Sequence, residues 1–235
     1  MMDRDTNFES YLLISPEKLI ISVLKKKTLE NIYQKEKVID IENEKINYDI
    51  IDNFLSQNIF SIEKILKNFI KKINLIIVSE DFFPIEISLR NNNHGKLISQ
   101  KNLTYLLNEA KDQCKKTFQD KKIIHLLIKN YLIDDHNYNF LPDEIKCNFF
   151  SIDIKFICFP NDLVKIFEEV LSKYHISVNR FLSADYLDDY FDSKDIDIFN
   201  RASQIIDGCN LNEVKIIDKI PKKSGFFERF FNIFS

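Results

Sequence analysis

Few residues in this chain have the type and spacing that chemistry needs. Asp134-Asp135-His136 could offer a metal two carboxylates and an imidazole. No second His or Cys stands nearby to complete a ligand set, so the triplet reads as a surface turn. Asp185, Asp188, Asp189, Asp192, Asp195 and Asp197 crowd into one stretch. They lack the alternating ligands and the glycine of a calcium loop and read as a solvated acidic linker. His125 lies in an apolar run, as a packed histidine would rather than a general base. His175 follows a helical pattern, where a cation near the C-terminal dipole suffices as an explanation. Cys114, Cys147, Cys158 and Cys209 are scattered, with no C-x-x-C pair, as in a reduced protein. No Ser or Cys sits in a nucleophile elbow. The expectation is a chain with no catalytic residues, no metal and no cofactor.

Glycine usage points the same way. Only Gly95, Gly208 and Gly225 are present among 235 residues. Loops that cradle phosphates need glycines for close backbone approach and positive φ. Neither G-x-x-x-x-G-K-[ST] nor G-x-G-x-x-G can be drawn, so nucleotide chemistry is not expected.

The elements that would position any site alternate between strand and helix, which predicts an α/β (α+β) protein. Tyr11 to Ile14 and Leu19 to Leu24 read as strands around a turn at Ser15-Pro16-Glu17-Lys18, and 31–39 as a third strand. Residues 40–60 are polar, with a short helix over 48–55. Ser61 reads as the cap of a second helix carrying Ile62, Ile65, Leu66, Phe69, Ile70 and Ile73 on one face. A short buried strand over 75–78 follows. Phe83 to Arg90 alternates as a half-buried strand, and Asn91-Asn92-Asn93-His94-Gly95 reads as a turn. Ser99 caps a helix with Leu103, Leu106, Leu107 and Ala110 inward. Strands over 123–133 and 145–159 follow, the second bent near Ser151. Pro160-Asn161 opens a helix carrying Leu163, Phe167, Val170, Leu171 and Tyr174. A strand over 176–182 ends the pattern. Residues 198–206 suggest one more helix, and 207–223 a linker.

The last residues carry a pattern of their own. Phe226, Phe227, Phe230, Phe231, Ile233 and Phe234 fall on one wide face at helical period. Glu228, Arg229 and Asn232 fall opposite, and Lys222 and Lys223 precede. The physical reading is a helix lying in a membrane interface, its phenylalanines in the acyl boundary and Lys222, Lys223 and Arg229 against anionic lipid. The alternative is a tail docked on the protein's own core or in a partner groove. No apolar run reaches the length of a transmembrane helix, and no signal-type stretch follows Met1-Met2-Asp3-Arg4-Asp5. The net charge of −3 gives no electrostatic case for nucleic acid, and 45% hydrophobic residues allow a sizeable core.

In their order and spacing these segments resemble the bacterial cell-division protein FtsA, of the actin-like superfamily. Ser61 to Leu66 resembles the family's first long helix, and Leu75-Ile76-Ile77-Val78 the strand after it. Ile123 to Asp134 resembles its "vlHviPqeYaiD" strand, with Lys129 where proline is usual. Ile154 to Asp162 resembles its "vHlitcpndm" strand-to-helix turn, and Val178 to Ala184 the strand that closes the first lobe. Lys222 to Phe231 is similar to its membrane-targeting helix. The chain departs from the family at the first phosphate loop, where Leu13, Ser15, Pro16 and Lys18 replace the acid, Gly-Thr and Lys. The second lobe, with its glycine-rich phosphate loop and its groove for the FtsZ tail, is missing between about Tyr190 and Ile198.

What the resemblance implies is a discontinuous actin-like first lobe (1–78 and 159–190). Into it is inserted a strand–helix–strand–strand subdomain (79–158). A remnant helix and linker (191–221) and the membrane-targeting helix (222–235) follow. The implied role is a peripheral adaptor at the cytoplasmic face of the inner membrane, in the septal ring of cell division. Its partners would be anionic lipids, other division proteins through the insert and further copies of itself, with the FtsZ contact in doubt. The alternatives are an actin-like ATP-binding protein completed by another chain, and a pilus-assembly-type actin-like interaction module.

Overall fold

The computed structural model describes residues 7–39, 48–142, 144–191 and 195–215. Two sheets organise them. β1 (Phe8–Ile14), β2 (Lys18–Lys25) and β3 (Asn31–Val38) form an antiparallel meander. α1 (Tyr48–Leu66) crosses over to β4 (Lys72–Ile77), which runs parallel to β1. β5 (Phe83–Leu97), α2 (Gln100–Thr117), β6 (Lys121–Ile133), the short β7 (His136–Tyr138) and β8 (Lys146–Pro160) then build the second sheet. α3 (Asn161–Ser172) returns to the first sheet as β9 (Ser177–Ser183), parallel to β4. α4 (Ala184–Tyr190) and α5 (Ile198–Asp207) follow. The strand orders are β3-β2-β1-β4-β9 and β5-β8-β6-β7. The expected α/β class and the strand–helix–strand–strand block are both present, β7 being an addition.

Alternation explains the layering. Leu12 and Ile14 of β1, Leu19 and Ile21 of β2, and Leu75 and Ile77 of β4 face α1 and α3 in one core. Tyr11, Leu13, Ile20, Ile76 and Leu182 point the other way, onto α4, α5 and the second sheet's Leu127 and Ile157. Strands buried on both faces read as continuous apolar runs, as Tyr11–Ile14 and Leu75–Ile77 do. The second sheet buries one face under Leu106, Ala110 and Cys114 of α2, and buries the other only near the junction, at Leu127 and Ile157. Away from the junction β5 alternates, while β6 and β8 are buried on both faces where they meet the first sheet. Cys114 and Cys158 lie 4.0 Å apart (Sγ to Sγ) in that core, and burial pushes the Cys158 thiol up to about 12.

Four expectations are corrected. α1 is one helix, not a short helix and a second one capped by Ser61. Ile51, Phe54, Leu55, Ile59 and Ile62 form an unbroken inward stripe through the middle of the helix, and Ser61 is an exposed interior residue. The helix stops at Leu66, Lys67 takes a positive φ of 50°, and Ile65 and Phe69 are exposed rather than inward. Asn91–Gly95 is not a turn: β5 runs on to Leu97 through a bulge between Asn92 and Lys96, with His94 and Gly95 at positive φ. The acidic stretch is not all linker, because Ser183 caps α4 and Tyr186 and Leu187 anchor it in the core. Part of the region read as a linker after residue 207 is also built into the fold, over residues 208–215. Gly208, at φ 92°, closes α5 in the left-handed conformation that glycine adopts without cost, and residues 212–214 dock on β6.

Candidate functional site

At the junction of the two sheets the described residues bring together a buried group of ionisable side chains. β6 carries a bulge between Ile123 and His125, which turns His125 away from α2 and toward β9 and α4. The segment after α5 lies along the open edge of β6. Ile128 N donates to Asn212 O at 2.9 Å, and Val214 N to Leu126 O at 2.9 Å. Leu127 and Glu213 bridge antiparallel between them. This places the Glu213 side chain, 5% exposed, beside His125, which is 0% exposed.

The hydrogen bonds fix the tautomer. Ser183 N donates to His125 Nε2 at 3.2 Å, so Nε2 is an acceptor and the proton sits on Nδ1. Nδ1 donates to Glu213 Oε1 at 2.8 Å. The same oxygen accepts from Arg180 of β9, and Oε2 accepts from the Tyr186 hydroxyl at 3.2 Å. Asn210 Nδ2 donates to that hydroxyl at 2.8 Å. Burial pushes the His125 pKa down from its ordinary 6.5, outweighing the pull of Glu213. Burial works to raise the Glu213 pKa, but His125, Arg180 and Tyr186 together hold it below its ordinary value. Glu213 is thus a buried anion neutralised by Arg180, and His125 is neutral. Both imidazole nitrogens and both carboxylate oxygens have partners, which is the condition for tolerating a buried charge.

A cavity of about 220 Å³ opens beside this cluster. Leu127 and Ile157 form its apolar floor, and Lys129, Lys155, Asp189 and Asn212 stand among its polar walls. Neither lysine is in an ion pair among the described residues. The arrangement can hold a polar group. It presents no activated nucleophile, because its one imidazole is buried and committed on both nitrogens.

The other sequence candidates fall elsewhere. Both Asp134 carboxylate oxygens accept from the Asn148 amide, and Oδ1 from Phe149 N as well, while His136 Nδ1 bonds the Asp134 carbonyl. That is the geometry of a turn. Among the described residues no group of three His, Cys, Asp or Glu side chains could hold a metal. His175 takes a positive φ of 58° just past α3. The first-loop residues lie in the β1–β2 turn. Ser15 N donates to Lys18 O at 3.0 Å, Ser15 Oγ donates to the same carbonyl, and Lys18 N donates to Ser15 Oγ. The membrane-binding candidates Lys222, Lys223, Phe226, Phe227, Arg229, Phe230, Phe231, Ile233 and Phe234 lie outside the described residues. Glu213, Arg180 and Tyr186 were not legible as a site. Glu213 stands 88 residues from His125 in sequence, and no local spacing signals the pair.

The fold and the junction define an α/β protein of two sheets joined through a buried polar cluster. No family model matches the chain, and no curated protein matches it. Among solved structures it is similar to one titled the PilM–PilN type IV pilus biogenesis complex, at 8% identity and a TM-score of 0.48, over 80% of this chain and 50% of that one. It is similar to the cytoplasmic domain of EpsL, an inner membrane component of the type II secretion system of Vibrio cholerae. There the identity is 8% and the TM-score 0.40, over 77% of this chain and 58% of that one. A Bacteroides thetaiotaomicron protein described as having an actin-like ATPase fold and unknown function matches at 15% identity and a TM-score of 0.34, over 81% and 58%. The chain thus spans less than two thirds of each of these proteins, and none of the three reaches a TM-score of 0.5.

Proposed function

We propose that this chain is a non-enzymatic, FtsA-like adaptor in bacterial cell division, built on a reduced actin-like lobe. A terminal amphipathic helix holds it at the cytoplasmic face of the inner membrane. The observation that carries the non-enzymatic part is the β1–β2 turn. A phosphate loop needs free backbone N–H groups turned toward the anion. Here the Ser15 and Lys18 amides are spent inside the turn, and Pro16 has no N–H to give. The adaptor part rests on the sequence of the tail, with six apolar side chains on one face and Lys222, Lys223 and Arg229 about it. Burial of that face contributes several kcal/mol and each cation about 1 kcal/mol near anionic lipid, less the cost of ordering the helix.

Two measurements test the reading. The full chain should pellet with anionic vesicles, and Phe230→Glu should release it. Retention of a chain ending at Pro221 would remove the membrane assignment. Calorimetry with magnesium and ATP should show no binding, and micromolar affinity would overturn the non-enzymatic assignment. The division role is read from a fluorescent fusion, which should gather at mid-cell. Uniform membrane staining of the intact chain would place it in another membrane process.

A further inference from the structure

β5 is an edge of the second sheet, and no described element pairs with its far side. It is a long strand whose open side offers unpaired N–H and C=O groups, a feature that proteins normally guard. Among the described residues, the backbone devices that block pairing stand at its two ends. Pro84 interrupts donation at one end, and the Asn92–Lys96 bulge ends regular pairing at the other. Between them runs Ile85-Glu86-Ile87-Ser88-Leu89-Arg90-Asn91, which contains neither proline nor bulge and has no described strand on its far side.

The occupant is indicated by the side chains. Ile85, Ile87 and Leu89 face α2, so Glu86, Ser88 and Arg90 share the opposite, exposed face. Suppose two copies of β5 pair antiparallel about a two-fold axis normal to the sheet. Only registers that keep like faces together are open. Centring on Ile87 puts Glu86 against Ser88, and centring on Leu89 puts Glu86 against Asn92. Centring on Ser88 puts Glu86 against Arg90 of the second copy, twice over, with Ile87 against Leu89 on the α2 side. The same centre is equidistant from the two guards, because Pro84 and Asn92 each stand four residues from Ser88. Pro84 fits an edge strand only with its nitrogen on the open side. Alternation then turns the N–H groups of Glu86, Ser88 and Arg90 to that side as well.

The charged residues are free to pair. Neither Glu86 nor Arg90 makes an ion pair within its own chain among the described residues, although Lys155 of β8 lies across from Glu86. Arg90 stacks 3.7 Å over the Phe149 ring, which holds its guanidinium on the outer face. Ser88 donates to Asp153 at 2.6 Å, which fixes the central side chain. We infer that β5 pairs with β5 of a second copy of this chain, antiparallel about Ser88, joining two four-stranded sheets into one. Opposed Glu86–Arg90 pairs set the register, and the closed two-fold geometry stops growth at a dimer.

The inference does not depend on the membrane or division reading, because its readout is mass in lipid-free solution. The full chain should sediment as a concentration-dependent dimer. Glu86→Arg alone and Arg90→Glu alone each create two like-charge contacts and should weaken dimerisation roughly tenfold. The double exchange E86R/R90E restores opposite charges and should recover the wild-type affinity. Glu86, Ser88 and Arg90 are all exposed, so circular dichroism should confirm unchanged folding. As a second readout, Ser88→Cys in a Cys209→Ser background should be joined into a covalent dimer by a short bis-maleimide crosslinker, since the two Ser88 positions form a hydrogen-bonded pair with Cα atoms about 5.5 Å apart. A wild-type chain that stays monomeric at the highest soluble concentration overturns the inference and leaves the edge to a strand of another protein. A dimer that both single exchanges leave intact overturns it too, as the tail or another face would then hold it. Weakening that the double exchange fails to rescue overturns the Ser88 register.

Discussion

Glu213 carries more of the junction than any other side chain. It ties together β6 through His125, β9 through Arg180 and α4 through Tyr186. Glu213→Ala would leave the Arg180 cation and the His125 Nδ1–H without their acceptor, and should cost about 3 kcal/mol in urea unfolding. Acid should act on the same centre. The folded-state pKa of His125 is lowered, so its contribution is complete above the unfolded value of 6.5 and is lost as pH falls below it. Glu213 is also lowered, so its contribution likewise disappears on acidification, further down. The two signs agree, and stability should fall steadily as pH drops from about 7 toward about 4. Thermal melts of the wild type and of His125→Gln check this. The variant, having no imidazole to protonate, should lose the upper part of the slope. An identical slope in both chains would exclude His125 as its source.

At the scale of elements, the two helix starts read from serine can be told apart by measurement. Ser99 accepts from Asn102 N at 3.2 Å at the start of α2, whereas Ser61 is exposed inside α1. Ser99→Ala should cost about 1 kcal/mol, and Ser61→Ala should change stability by less than about 0.5 kcal/mol. The contrast shows what sequence could and could not reveal here. Strands β1, β4, β6 and β8 were legible because buried runs and alternation are local patterns. The α2 cap was legible because Ser99 precedes an inward stripe. Ser61 carried the same local signal, but the stripe Ile51, Phe54, Leu55, Ile59 and Ile62 passes straight through it and the packing prevailed. The β5 bulge misled because Asn-rich sequence and glycine suit a turn and a bulge equally. α4 was hidden because seven residues with few inward side chains look like solvated acid until β9 and α5 are beside them.

The whole molecule is closed by its last described segment. Residues 209–215 leave the Gly208 cap, run along β6 and supply Asn210, Asn212 and Glu213 to the junction. The amphipathic sequence at 222–235 comes after it in the chain and lies outside the described residues. Folding and anchoring are therefore separable by truncation. A chain ending at Lys215 keeps every contact described for the junction, and its melting temperature should stay within about 2 °C of the full chain. It should nonetheless fail to pellet with anionic vesicles. A chain ending at Gly208 loses Glu213, both backbone bonds to β6 and the Asn210 bond to Tyr186, and leaves Arg180 and His125 facing each other without an anion. At the roughly 3–5 kcal/mol expected for breaking a buried charge pair, its melting temperature should drop by about 10 °C or more. Differential scanning calorimetry on the three chains decides the matter. If the Gly208 truncation melts like the full chain, the segment along β6 is a passive tether and the junction is held by the two cores alone.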